Sequence, residues 1–294
     1  MKKDQADWGR LVAQLESEFE KNNWKVYQFN ESYNREKYLQ LVSKIKDKGK
    51  VVCLDLDCGI DYKDREVYGF FHRHPILLNP EKYPEFKNVK MAFAQTPKVD
   101  KMIKKAFEIE STEIGLPLEI YPEAGVLRKT RPFSVVYNHR IDDPAKRLDL
   151  FVQLSKALPS HFSFYCFGGE KAKPFVKGTK IQVLDIDDRQ EYLEQLRKMQ
   201  FVFSMSELEF FSYSTIDAIM SGCIPVLRKS TYEHIPSYGK VNTFQEAVNY
   251  IKKTSESSAS FAIASSAVNH IQGKFEIIYS PTNIIKKIEK CVFA

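Results

Sequence analysis

Seven residues separate Glu209 from Asp217, and the run between them holds Ser212, Tyr213, Ser214 and Thr215. The apolar stretch Phe201-Val202-Phe203-Ser204-Met205 precedes them and Gly222 follows. That order reads as a strand, a short loop bearing a carboxylate, a helix start rich in hydroxyls, and a stop. A helix N-terminus presents amide donors without intrahelical acceptors and a partial positive charge, which suits a phosphate or diphosphate. Ser212, Ser214 and Thr215 add hydroxyl donors, and the two acids are far enough apart to hold different polyols of one extended ligand. The same residues also read as an ordinary helix cap at Ser212 or Ser214 with a solvated acid at Glu209.

Arg140 and Lys146 lie in a second such junction, Tyr137 to Leu150, where another strand gives way to a helix. A guanidinium fork and a mobile ammonium can together neutralise a departing pyrophosphate, although a surface pair of cations looks the same in sequence. His72 and His74 flank Arg73 beyond the run Val67 to Phe71. A histidine titrating near neutrality can serve as base for an acceptor hydroxyl, and Arg73 can hold an acceptor phosphate. Two histidines that only close a strand end fit equally. Asp55 and Asp57 share one face of a strand, as a metal-binding pair would.

Glu209-x7-Asp217, followed by Ala218 and by Gly222-x-x-Pro225-Val226, resembles the E-x7-E signature of retaining GT-B glycosyltransferases. Arg140 and Lys146 resemble the two cations by which that family grips the donor diphosphate. The resemblance implies a nucleotide-diphospho-sugar donor, UDP-glucose first, with Glu209 over the sugar and Asp217 on the ribose. Arg140, Lys146, Ser212, Tyr213, Ser214 and Thr215 would complete the donor site. His72, His74 and Glu209 would be catalytic and Arg73 would meet the acceptor. It implies neither a metal nor a cofactor beyond the donor. Asp stands at 217 where the family has Glu, and Ser212 where it usually has Gly. The run Gly222 to Thr231 resembles the DNA α-glucosyltransferases of T-even bacteriophages. Those enzymes carry His-Asp-His where this chain has His72-Arg73-His74. Set against this, the Asp55/Asp57 pair resembles the DxD of GT-A enzymes, a reading that leaves the second half of the chain unexplained.

The elements that must position these residues alternate between apolar runs and amphipathic stretches, the pattern of α/β folds with parallel sheets. Strands are expected at 24–29, from Val51, and at 70–78, 89–94, 134–137, 162–167, 180–184, 201–205 and 223–227. Helices are expected at 7–22, 35–47, 97–107, 146–157, 189–199, 213–220 and 243–252. Residues 116–121 read as extended, and 255–266 as a Ser/Ala-rich helix or loop. The polar stretch 123–132 reads as a hinge. The expectation is two doubly wound, Rossmann-like domains facing a cleft, in the GT-B manner. They comprise a trimmed acceptor-side domain at 1–127 and a nucleotide-sugar domain at 128–274. A final helix at 275–294 crosses back to the first.

The chain has 294 residues, 43% hydrophobic and 28% charged, enough to bury a core. No run approaches the ~20 apolar residues of a membrane span, and the first residues lack a signal peptide's apolar block. Five scattered cysteines point to a reduced, cytoplasmic compartment, the host's if the chain is phage-encoded. Residues 1–127 carry 21 basic and 21 acidic side chains, and residues 128–294 carry 23 and 17, so the net +6 lies in the second half. Surplus positive charge attracts polyanions and phosphates. The leading expectation is transfer of glucose to a hydroxymethylated pyrimidine in phage DNA. The alternatives are a bacterial transferase of cell-surface or lipid-linked polysaccharide, and a non-catalytic nucleic-acid-binding protein that kept the fold.

Overall fold

The computed structural model describes residues 15–25, 49–53, 66–70, 89–118, 131–209, 211–236 and 239–294. His72, Arg73, His74, Asp55, Asp57 and most of the hinge at 123–132 fall outside them. The chain divides into two compact units, Met1–Glu119 with Ile277–Ala294, and Ile120–Glu276.

In the first unit, β1 (Lys50–Cys53), β2 (Glu66–Phe70), β3 (Val89–Ala94) and β4 (Ser111–Glu113) form a sheet in that order. Every neighbouring pair is parallel. The strand expected at 70–78 is already under way at Glu66, because Val67, Tyr68 and Phe70 supply its buried positions. β4 was not foreseen; three residues are too few to show a pattern. Helix α1 (Pro97–Phe107) sits where its spacing predicts, with Pro in its first turn and Val99, Ile103 and Phe107 facing inward.

In the second unit β5 (Arg131–Tyr137), β6 (Ser163–Phe167), β7 (Ile181–Leu184), β8 (Met199–Ser204), β9 (Ile224–Arg228) and β10 (Lys240–Val241) form one sheet. Its order is β10-β9-β8-β5-β6-β7, all parallel. Counted from its own first strand, that is the 3-2-1-4-5-6 order of a Rossmann sheet. All six residues of β8 are buried, as expected of a central strand covered on both faces. Helices α2 (Leu148–Ala157), α3 (Arg189–Lys198) and α4 (Tyr213–Met220) connect strands, and α5 (Phe244–Glu256) follows β10. A 3-10 turn, Pro144–Lys146, precedes α2, so the helix begins two residues later than expected. Asp188 caps α3 by accepting from the Glu191 amide at 2.8 Å, and Thr243 caps α5 from Glu246 at 3.1 Å.

Most of the Ser/Ala-rich stretch belongs to α6 (Ser258–Ile278), which runs past 275, so the final helix α7 (Pro281–Phe293) begins later than expected. Helix α7 packs in the first unit. Ile284, Ile285, Ile288 and Val292 are buried, and Glu289 accepts from the Trp24 indole at 3.2 Å. Gly115, at φ +81°, passes so close to Tyr279 that a Cβ there would lie 2.5 Å from the ring. No described helix is long and apolar enough to cross a membrane.

Candidate functional site

Strand order reverses between β5 and β8, where the connections leave in opposite directions and the loops beyond the strand ends part. Open α/β sheets bind ligands at that point. Here the loop after β5 (138–147) and the loop after β8 (205–212) are stitched together. The Ala145 carbonyl accepts from the Glu207 amide at 2.8 Å and from Ser206 Oγ at 3.1 Å. The Tyr137 hydroxyl reaches the carbonyls of Arg140 and Lys146, each at 3.3 Å, and folds the first loop over the strand end. Arg147 grips Glu207 at 2.7 Å across the seam.

Inside this seam the sequence-predicted Glu209 and Lys146 meet. Lys146 Nζ donates to Glu209 Oε1 at 2.6 Å and to the Leu208 carbonyl at 3.0 Å. Both side chains are sheltered, 14% and 8% exposed. Burial raises the Glu209 carboxyl above its ordinary value, opposed by the ammonium of Lys146. Glu209 is thus a buried, paired acid, and the reading of it as a solvated loop acid is set aside. His139 Nδ1 lies 3.4 Å from the same carboxylate oxygen and 3.3 Å from Ser214 Oγ. Its Nε2 is buried with no hydrogen-bond partner among the described residues. Burial, reinforced by Lys146, pulls this imidazole down to about 3, so it is neutral at physiological pH.

Helix α4 opens beside this cluster. Ser212 precedes it at φ 51° and ψ 69° and makes no side-chain cap; its hydroxyl goes instead to Thr215 Oγ1 at 2.9 Å. The expectation of a side-chain cap at Ser212 is therefore corrected: in the left-handed region its Oγ faces Thr215 rather than the first-turn amides. Asn138 Nδ2 donates to the Ser214 carbonyl at 2.5 Å, fixing the helix start against the end of β5. Thr215 reaches the buried Tyr232 hydroxyl at 3.4 Å. Asp217, one turn into α4, is held by Arg189 at the start of α3, with NH1 to Oδ2 at 2.7 Å and NH2 to Oδ1 at 2.8 Å. The Arg189 guanidinium lies over the Tyr192 ring, 5.4 Å from its centroid. A chain of contacts therefore runs from Asp217 through Arg189, Tyr192, Asn138, Ser214 and His139 to Glu209 and Lys146. Arg140 is not among them: it is 68% exposed and bound to Asp143 at 3.0 Å. Among the described residues, no group of three or more His, Cys, Asp or Glu is placed to hold a metal ion.

No protein-family profile and no curated protein matches the chain. Solved structures do. A variant of S. aureus TarM in complex with fondaparinux, α-GlcNAc-glycerol and UDP superposes with TM-score 0.63 at 16% identity, over 80% of this chain and 52% of that one. Anabaena HepE with UDP-glucose gives 0.66 at 13%, covering 94% and 88%. The lipopolysaccharide outer core galactosyltransferase WaaB gives 0.67 at 10%, covering 88% and 78%. This chain spans about half the length of the TarM chains it matches.

The fold is GT-B.

Within that GT-B fold, Lys146, Glu209, Ser214 and Asp217 belong to one contact chain. Arg189 and His139 also belong to this contact chain, and neither stands out in the sequence. Arg189 meets its partner 28 residues away, across two elements, and no local pattern marks it. His139 stands beside Arg140, in the loop after β5, and its approach to Glu209 at 3.4 Å has no mark in the sequence.

Proposed function

We propose that the chain is a retaining glycosyltransferase that moves a hexose, glucose from UDP-glucose in the first instance, to an acceptor hydroxyl. The observation that carries this reading is the Lys146–Glu209 pair, buried at the strand-order reversal beside the opening of α4. The helix start and Lys146 would receive the diphosphate, supplying positive charge where the leaving group develops its negative charge. Glu209 would accept from hydroxyls of the donor sugar. Lys146 would then exchange its carboxylate partner for phosphate oxygens as the donor binds. Arg140, exposed and tied to the neighbouring Asp143, would swing onto the diphosphate from outside. His72 and His74 are proposed near the acceptor, with Arg73 holding it. The domain roles follow: residues 128–274 for the donor and 1–127 for the acceptor.

Two acceptors are each favoured by an observation. The +6 carried by residues 128–294 and the phage-like run Gly222 to Thr231 favour hydroxymethylated pyrimidines in DNA. A base in a duplex would need to be flipped out to be reached, and binding would fall steeply with salt. The GT-B neighbours, one bound to α-GlcNAc-glycerol and another a lipopolysaccharide galactosyltransferase, favour a cell-surface glycan. Radiolabelled UDP-glucose offered with hydroxymethyl-cytosine DNA, hydroxymethyl-uracil DNA and glycan acceptors separates the two. Label in DNA supports the first, label in glycan the second. Donor retained without turnover, and unaffected by Glu209→Gln, would leave only the non-catalytic reading.

A further inference from the structure

Asp217 is the acid expected to take the ribose, but both of its carboxylate oxygens are engaged by one guanidinium, at 2.7 and 2.8 Å. The Asp217 side chain is 7% exposed and that of Arg189 33%. The acid thus lies behind and the cation in front. Asp is one methylene shorter than the Glu of the E-x7-E pattern, and the more exposed guanidinium covers both of its oxygens. The Tyr192 ring supports the guanidinium from one side. Tyr192 is in turn positioned by Asn138, whose Nδ2 lies 3.4 Å from the phenol oxygen.

We propose that Arg189 is the residue that meets the ribose of the donor nucleotide, and that Asp217 acts behind it as a positioning residue. The proposal rests on the donor reading above. The polarity of recognition is reversed relative to a carboxylate: the vicinal hydroxyl oxygens of the ribose accept hydrogen bonds from guanidinium N–H groups instead of donating to an acid. A guanidinium has no acceptor and a fixed planar fork, so a lysine cannot replace it.

The test is titration calorimetry of UDP, 2′-deoxy-UDP and inorganic pyrophosphate against the full chain and its variants, with circular dichroism to confirm folding. The unaltered chain should bind UDP more tightly than 2′-deoxy-UDP. Arg189→Met should weaken UDP by about tenfold or more, the scale of one charge-assisted hydrogen bond. It should leave pyrophosphate unchanged and remove the preference for UDP over 2′-deoxy-UDP. Arg189→Lys should not restore that preference. Asp217→Asn should match the loss, and the double variant should lose no more than either single one. A merely structural Arg189 would lower all three affinities together and keep the preference, which overturns the proposal. Unchanged or tighter UDP binding by Arg189→Met also overturns it, since Asp217 would then hold the ribose itself. Failure of the unaltered chain to bind either UDP or pyrophosphate is a different result: it removes the donor reading and this inference with it.

Discussion

Glu209 is the side chain whose environment says most about its task. A carboxylate withdrawn from water is tolerated when a cation and hydrogen bonds compensate it, and Lys146 with the loop around it does so. Replacing Lys146 by Met should leave a buried acid uncompensated and cost about 3–5 kcal/mol of stability, read as a lowered midpoint in urea unfolding. Adding Glu209→Gln should recover most of that loss, whereas two independent contributions would add. Glu209→Gln alone should preserve the fold and lower glucosyl transfer by at least about a hundredfold, the scale of one lost electrostatic contact to the transition state. Protons tell a second story. His139 is lowered to about 3 and His234 to about 4, both by burial first, from an ordinary 6.5. Between those limits the unfolded chain binds more protons than the folded one, so their contribution is complete above about pH 6.5 and drains away on acidification. Each imidazole accounts for up to about 2 kcal/mol by pH 5. Glu209, with its carboxyl raised, works in the opposite sense. Melting temperatures should fall from pH 7 to pH 5, and His139→Phe should flatten that slope.

At the level of elements, the loop entering α4 carries a residue in an uncommon backbone conformation. Ser212 holds φ 51°, a region where an L-residue other than Asn or Asp is uncommon. Ser212→Gly should raise stability by up to about 1 kcal/mol by removing that conformational cost. Ser212→Val should lower it, and thermal melts of the two variants should move in opposite directions. Strand positions in the second unit were legible because short apolar runs such as Phe201–Phe203 between polar stretches leave one interpretation. Helix α4 was legible to the residue, with Ser212 before it and Gly222 after it. The pairing of α3 with α4 was not, because an Arg facing an Asp on another helix leaves no periodic trace. Helix α6 was legible only as one of two alternatives: a Ser/Ala-rich run is compatible with either helix or loop, and in the structure it is a helix with Ala264, Ala267 and Val268 buried.

Across the whole molecule the two units differ in how the chain supplies them. The second is continuous in sequence, from Ile120 to Glu276, and contains Arg140, Lys146, Glu209, Arg189 and Asp217. Produced as a fragment of residues 120–276, it should fold cooperatively and retain UDP binding; a fragment that unfolds without a transition, or ignores UDP, contradicts this. The first unit is assembled from both ends of the sequence, and its closing contributions come from α7: Thr282 to Glu18 at 2.9 Å, Lys287 to the Ile114 carbonyl at 3.1 Å, and Phe293 against Trp24. Translation reads the chain in one direction only. A ribosome therefore finishes the whole six-stranded unit before it has synthesised the helix that completes the four-stranded one. Until then the nascent chain carries an open apolar seam where Ile284, Ile285 and Ile288 will later dock, a natural foothold for a chaperone.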